Sequence, residues 1–323
     1  MHILLAHCAA IPVFAYGGTE RVVWDLGRLL VALGHRVSYL VPAHSTCDFA
    51  RVLPLRADVP LQAQIPHDVD VAHFQFDPGE ALETPWLVTE HGNAAPGKKL
   101  PINSVFVSRD HARRHGAEAF VLNGLDWRSY GLVNMQSSRS HFHFLGKAAW
   151  RVKNVRGAID VARLAGVPLS VLGGHRFNFK RGLRFTFSPS VRFHGMVGGA
   201  EKAGLLAASR GLIFPVIWHE PFGLAVIESL YFGCPVFATP YGALPELVPP
   251  ECGALSASRR ELTELLLSSS FDRRTCHEHA LHHFNAARMA AAYVKLYERV
   301  LDGESLNTRV PVGPADNRLS WTA

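Results

Sequence analysis

An α/β fold built from two Rossmann-like halves is what this chain predicts, and three observations carry the prediction. Its first forty residues read as strand, glycine-containing loop, helix and strand, the opening of an open parallel sheet. A polar stretch, MQSSRS at 135–140, interrupts the pattern, after which strand and helix alternate afresh. The length, 323 residues, exceeds one ordinary core and suits two domains of roughly 150 residues each.

Each element follows from local pattern. HILLAHCAA (2–10) is a short apolar run that leads through IPVFAYGGTE into a helix. In that helix Val22, Val23, Leu26, Leu29, Leu30 and Leu33 recur at helical spacing, and Gly34 ends it before the strand VSYLV (37–41). Strands continue in VDVAHF (69–74), WLVTEH (86–91), SVFVS (104–108) and FVLN (120–123), with HARRHG (111–116) the end of a short helix. The second half repeats the scheme. FHFLG (142–146), PLSVLGG (168–174), VRFHGMV (191–197), GLIFPV (211–216) and PVFAT (235–239) read as strands. VRGAIDVARLAG (155–166), AEKAGLLAAS (200–209) and AVIESLYFG (225–233) read as helices, and GALPELV (242–248) as loop and short helix. A last helix, AARMAAAYVKLYERVL (286–301), takes Asn285 as its N-cap, and 304–323 shows no periodicity. The domain expectation is therefore 1–138, 139–285, a helix over 286–303 and an irregular tail over 304–323.

Composition removes several classes of function. The chain carries 33 Lys and Arg against 27 Asp and Glu, a net charge of +6, which suits an anionic ligand or an acidic membrane surface without naming either. Its densest basic stretch, FNFKRGLRF around Lys180, Arg181 and Arg184, falls short of the clustered stripe that nucleic-acid binding needs, so no nucleic-acid partner is expected. Five scattered cysteines (8, 47, 234, 252 and 276) with no CxxC pair point to a reducing cytoplasm. The N-terminus has no Lys or Arg ahead of its apolar run, and no segment approaches the ~20 apolar residues of a membrane span.

The chemistry-bearing residues sit where strands end. HEPFGLAVIE (219–228) sets Glu220 and Glu228 eight positions apart around a Pro-Phe-Gly turn. Pro221 is expected in the first turn of the following helix, whose N-terminal amides suit a phosphate. Gly223 would let an anion approach, and Glu228 could accept from vicinal hydroxyls such as those of a ribose. Alone, the same acids would serve equally as a capping and a solvated helix acid. Lys147 and Lys153 follow the strand 142–146 and suit a diphosphate beyond its carboxyl edge, although isolated surface lysines would look the same. Gly17 and Gly18 lie between the first strand and helix, without a full GxGxxG, and His91 precedes Gly92 at another strand end.

Three further groups invite a catalytic or metal assignment and are read otherwise. Asp68 and Asp70 form a DxD ahead of a strand of the first half, and no metal is expected there. His279 and His283 are i, i+4 without an evident third ligand, which favours a solvated helix face. Glu118 and Asp126 flank VLNGL as loop residues rather than an acid/base pair.

Taken together, YGGTERVVWDLGRLLVALGHRV, TEHG, FVSRDHARRHG, VLNGLD, the GK…K stretch, VRFHGMV, HEPFGLAVIESLYFGCPVFAT and GALPELV resemble, in order, a family 4 glycosyltransferase. The resemblance runs from residue 2 to about 301, and the glutamate pair is its E-x7-E signature. It implies GT-B architecture: two Rossmann-like domains facing across a cleft, the N-terminal one on the acceptor side, with the last helix crossing back to it. It implies a retaining, metal-independent transfer of a sugar from a UDP- or GDP-linked donor to a hydroxyl of a glycan, lipid-linked sugar or small molecule, with no cofactor. Catalytic roles fall on His91, Glu220 and Lys153. The donor set is Gly17, Gly18, Lys147, Lys153, Glu220, Pro221, Phe222, Gly223, Leu224 and Glu228. Lys147 stands for the usual arginine, Asn154 for a glycine and Ala243 for a second glycine in GALPE, and 175–190 is short for the usual helix. Arg109, Arg113 and Arg114 would suit either an anionic membrane surface or simple solvation of a helix. A sugar-nucleotide epimerase or phosphorylase on the same scaffold, or a non-catalytic nucleotide-sugar-binding module, are the alternatives.

Overall fold

The computed structural model describes residues 1–12, 17–178, 184–315 and 319–322. Lys180 and Arg181 of the basic stretch, and Ala15 and Tyr16 of AYGGTE, lie outside the described residues. The described residues form two units, one drawn from 1–12, 17–126 and 284–315, the other from 127–178, 184–283 and 319–322.

In the first unit, β1 (His2–Ala6) leads to α1 (Gly18–Ala32), then β2 (Arg36–Val41), β3 (Arg51–Pro54), α2 (Leu61–Gln64), β4 (Val71–Phe74), β5 (Trp86–Glu90), β6 (Ser104–Phe106) and α3 (Arg109–Arg114). The six strands are parallel in the order β3-β2-β1-β4-β5-β6. Strands covered on both faces need unbroken apolar runs, and β1 is buried at every position. α1 turns Val22, Val23, Leu26 and Leu30 inward, whereas Leu33, expected on the same stripe, is 52% exposed at the fraying end. FVLN does not become a strand. Only Phe120 bridges Phe106, after which the chain leaves the sheet so that Leu125 can pair with Asn285.

The second unit runs β7 (His141–Leu145), α4 (Val155–Leu164), β8 (Leu169–Leu172), the hairpin β9 (Phe177–Asn178) and β10 (Arg184–Phe185), β11 (Val191–Phe193), α5 (Gly199–Ala207) and β12 (Ser209–Phe214). It continues with α6 (Leu224–Tyr231), β13 (Val236–Ala238), α7 (Leu244–Leu247), β14 (Gly253–Leu255), α8 (Arg259–Ser268) and α9 (Arg273–His283). Its parallel sheet is ordered β11-β8-β7-β12-β13-β14, the same winding as the first. The polar stretch 135–140 therefore lies inside the second unit, which begins at Trp127. His143 of β7 is fully buried between Ser209 Oγ (2.6 Å) and Ser229 Oγ (2.8 Å).

The last helix, α10 (Ala286–Leu301), belongs to the first unit and packs on α1, β4 and β5. Asn285 caps it, its side chain accepting from the Arg288 amide at 2.9 Å. The tail beyond it is irregular but fastened. The buried Asn307 donates to the carbonyls of Ile102 and Ser104, each at 2.8 Å.

Candidate functional site

In a doubly wound sheet the strand order reverses between the first and fourth strands, and ligands bind beyond the carboxyl ends at that point. In the second unit this is the β7/β12 edge, and Lys147, Lys153 and Glu220 all follow those two strands. After β7 the chain makes a single tight turn at Arg151–Lys153 and then enters α4 through Asn154. Asn154 takes a left-handed φ of +51°, accepts from the Gly157 amide at 3.0 Å and donates to the Pro215 carbonyl at 2.8 Å. Lys153 is thereby delivered to the segment after β12. Its Nζ lies 2.6 Å from Glu220 Oε2, the oxygen that also accepts from Trp218 Nε1 at 2.8 Å. The ammonium sits over the rings of Trp218 (4.8 Å) and Phe214 (5.4 Å), and both side chains of the pair are largely buried. Lys147 Nζ lies 5.1 Å from the ring centre of Trp150.

Glu220 is fixed by its backbone as well. It pairs with Gly242 across a parallel bridge, and its carbonyl accepts from the Ala243 amide at 2.9 Å. Gly242 has φ +65°, and a Cβ there would come 2.3 Å from the Glu220 backbone, so glycine is required for the two segments to touch. The helix after Glu220 begins at Leu224, not Pro221: Gly223, at φ +110°, breaks the backbone direction and caps it. Pro221 and Phe222 are buried ahead of the helix as packing residues.

Glu228 occupies the fifth position of α6 and is 5% exposed. Its Oε1 receives Lys202 Nζ from α5 and the Tyr130 hydroxyl, each at 2.5 Å. Tyr130 ends a tight turn, Trp127–Tyr130, that is held in place by its neighbours. Trp127 stacks on Tyr231 at 4.4 Å, and the Tyr231 hydroxyl donates to the Gly131 carbonyl at 2.6 Å.

The remaining predicted residues lie in the first unit, also at a carboxyl edge. Gly17 caps α1 with extended backbone (φ 175°), so any need for glycine there comes from space rather than from φ. His91 follows β5, and its Nε2 donates to Oε1 of Gln75, just after β4, at 2.6 Å. Burial, with a smaller contribution from His7, pushes the His91 pKa down to about 3, so the ring is neutral at ordinary pH. His7, just after β1, has both ring nitrogens buried without a partner, as is Gln75 Nε2. Buried polar atoms rarely stay unpaired, and these three lie at the same sheet edge as His91.

The residues read as decoys are committed elsewhere. Asp68 pairs with Arg36 at 2.6 Å, and Asp70 accepts from the His2 amide at 2.7 Å. Glu118 accepts from the amide and hydroxyl of Thr308, and His279 Nε2 meets the Leu247 carbonyl at 3.2 Å. Among the described residues no group of three His, Cys, Asp or Glu side chains is arranged to hold a metal ion. In α3, Arg113 pairs with Asp110 at 2.8 Å, and Arg109 lies over Phe120. No described helix is long and apolar enough to cross a membrane.

Sequence reasoning missed Trp218, Lys202, Tyr130, Gln75 and His7. Lys202 left a trace: it is the one cation in a helix otherwise made mostly of Ala, Gly and Leu.

Residues 139–268 match the family model described as Glycosyl transferases group 1. An uncharacterized 41.2 kDa protein of the cps region of Klebsiella pneumoniae is 25% identical over 117 residues, 34% of this chain and 32% of that protein's length. Among solved structures, AviGT4, a glycosyltransferase involved in avilamycin A biosynthesis, superposes with a TM-score of 0.75 at 22% identity, over 94% of this chain and 98% of its own. Alr3699/HepE of Anabaena, solved with UDP and glucose, gives a TM-score of 0.66 at 15% identity, over 92% and 99% of the two chains. At these identities the structural likeness establishes the GT-B fold.

Proposed function

We propose, from the match of residues 139–268 to the group 1 glycosyltransferase model within a chain of GT-B fold, that the protein transfers a sugar from a nucleoside diphosphate donor to a hydroxyl of a glycan or lipid-linked acceptor, with retention and without a metal. The observation that carries the reading is the grouping of Lys153, Glu220, Trp218 and Lys147 at the β7/β12 switch point, with Glu228 on the helix that follows. Anabaena HepE, of the same fold, was solved with UDP-glucose, which makes a uracil nucleotide the first donor to test.

In the reaction the bond between the anomeric carbon and the diphosphate oxygen breaks. A bond from the acceptor oxygen forms on the same face, and the acceptor proton passes to the leaving diphosphate. Lys147, Lys153 and the N-terminus of α6 stabilise the charge that grows on that diphosphate, the largest single term in such a step. Glu220 orients the sugar hydroxyls and shares Lys153 with the phosphate. Neutral His91, whose Nε2–H is taken by Gln75, is assigned to accept from a sugar hydroxyl.

The test is calorimetric titration of UDP, GDP and their common sugar conjugates in EDTA, with Glu228→Ala as control. Binding of one nucleotide that the control abolishes supports the site and its independence of metal, and no nucleotide binding by the folded protein refutes the reading. Lys153→Ala and Glu220→Ala are each expected to lower turnover by a factor of roughly ten or more, the scale of losing one charged contact to the transition state. Wild-type turnover in either variant removes that residue from the mechanism.

A further inference from the structure

We infer that Lys202 and Tyr130 are positioning residues for ribose recognition: they hold Glu228 charged and in one orientation, so that selectivity for a ribonucleotide depends on two side chains that need not touch the ligand. The inference rests on the transferase reading and deepens its donor site.

A carboxylate that is 5% exposed stays ionised only beside a cation or several donors. Glu228 has both on one oxygen. Lys202 Nζ and Tyr130 OH each lie 2.5 Å from Oε1, and the Lys202 side chain is itself only 9% exposed. The ammonium also lies 5.5 Å from the Tyr130 ring centre, so the three groups lock one another. Each comes from a different element: α6, α5 and the Trp127–Tyr130 turn, which the Trp127–Tyr231 stack and the Tyr231–Gly131 hydrogen bond hold still. Two donors on one oxygen fix the carboxylate plane, and a vicinal diol then meets an acceptor with its charge and direction already set. An ammonium neutralised at this distance is poorly placed to serve the diphosphate, which separates Lys202 from Lys147 and Lys153.

A tie that merely joined α5 to α6 would alter the binding of every nucleotide alike. A positioning role appears instead in the ratio between a nucleotide with ribose hydroxyls and one without. The experiment is titration of UDP, GDP and ADP, each against its 2′,3′-dideoxy counterpart, into the wild type, Lys202→Met, Lys202→Arg and Tyr130→Phe. The wild type should prefer the ribonucleotide roughly ten- to a hundredfold, the range expected for hydrogen bonds to a charged acceptor. Lys202→Met should reduce that preference to about threefold or less while leaving dideoxynucleotide affinity nearly unchanged, because only the hydroxyl contact is lost. Lys202→Arg should restore most of it.

A folded Lys202→Met protein that keeps the wild-type ratio overturns the inference and leaves the transferase reading standing. A wild type that binds both forms equally does the same. If Lys202→Met does not fold, Tyr130→Phe decides: it deletes a single hydroxyl, should lower the ratio several-fold, and overturns the inference if the ratio is unchanged. A wild type that binds no nucleotide overturns the transferase reading and takes this inference with it.

Discussion

Asn154 holds the one positive φ outside glycine among the described residues, and it stands one step after Lys153. Asparagine tolerates that region better than most residues because its short amide can bond locally, and here both the oxygen and the nitrogen of the amide are engaged. Its oxygen caps α4 and its nitrogen binds the Pro215 carbonyl, on the segment that leads to Glu220. Gly157 makes this possible, since a Cβ there would lie 2.4 Å from the Asn154 amide. A glycine would meet the same backbone demand, and the asparagine adds two hydrogen bonds. Asn154→Gly should destabilise by only a few tenths of a kcal/mol at the cap plus about 1 kcal/mol for the lost Pro215 bond. Asn154→Ala loses the same bonds and adds left-handed strain of about 1–2 kcal/mol. Urea unfolding of the two variants measures the difference, and equal midpoints would mean that the αL backbone is not what constrains this residue.

Among elements, the strands of both sheets were legible because doubly covered strands are apolar through their middles, as ILLA of β1 and LV of β5 are. The region 253–283 was not. β14 has three residues, and α9 buries only Cys276 and Ala280, too little to print a helical stripe. FVLN reads as a strand from composition, but its backbone is needed to meet Asn285. The polar stretch 135–140 looks like a boundary. Yet the carbonyls of Met135 and Ser137 accept from Arg273, so the true change of unit falls at Trp127, where aromatic packing unreadable from local pattern takes over. In the site, the ends of strands and the two glutamates were visible, while their partners were not, because Lys202 and Tyr130 reach Glu228 across 26 and 98 residues. α10 shows the same limit. Its amphipathic face was evident, but not the buried chain in which Tyr297 OH meets His73 Nδ1 (2.8 Å), His73 Nε2 meets Thr89 Oγ1 (2.7 Å), and Thr89 meets Tyr293 OH (2.7 Å). Tyr297→Phe strands a fully buried imidazole nitrogen and should destabilise by about 1–3 kcal/mol. Thermal unfolding against Tyr293→Phe, which leaves Thr89 its bond to His73, should find Tyr297→Phe the worse of the two; the reverse order would refute the chain as drawn.

Across the whole molecule, buried histidine is the recurring charge-sensitive device, and it sets how the protein responds to acid. His73, His91 and His111 in the first unit and His143 in the second are each pushed down to about 3, with burial the leading cause. Because these rings are neutral in the folded chain and titrate near the ordinary histidine value when unfolded, the unfolded chain binds more protons as the pH falls below about 6.5. Their contribution to stability is therefore complete above that pH and is lost on descending from it toward 3, at up to ~1.4 kcal/mol per pH unit for each ring. Two carboxyls work against them: burial raises Asp25 to about 6 and lifts Glu90 above its ordinary value, so that the folded chain gains protons there before the unfolded one does. Four rings against those two groups leave the net slope destabilising. Between pH 6.5 and 5.5 ordinary carboxylates are still ionised, so the change in the urea midpoint over that interval reports the histidines less the opposing gain at Asp25. The expected result is a loss of several kcal/mol per pH unit summed over both units. A midpoint unchanged from pH 7.5 to 5.5 would mean that these rings are hydrated and charge freely, and that the neutral His91 required by the proposed chemistry is wrong as well.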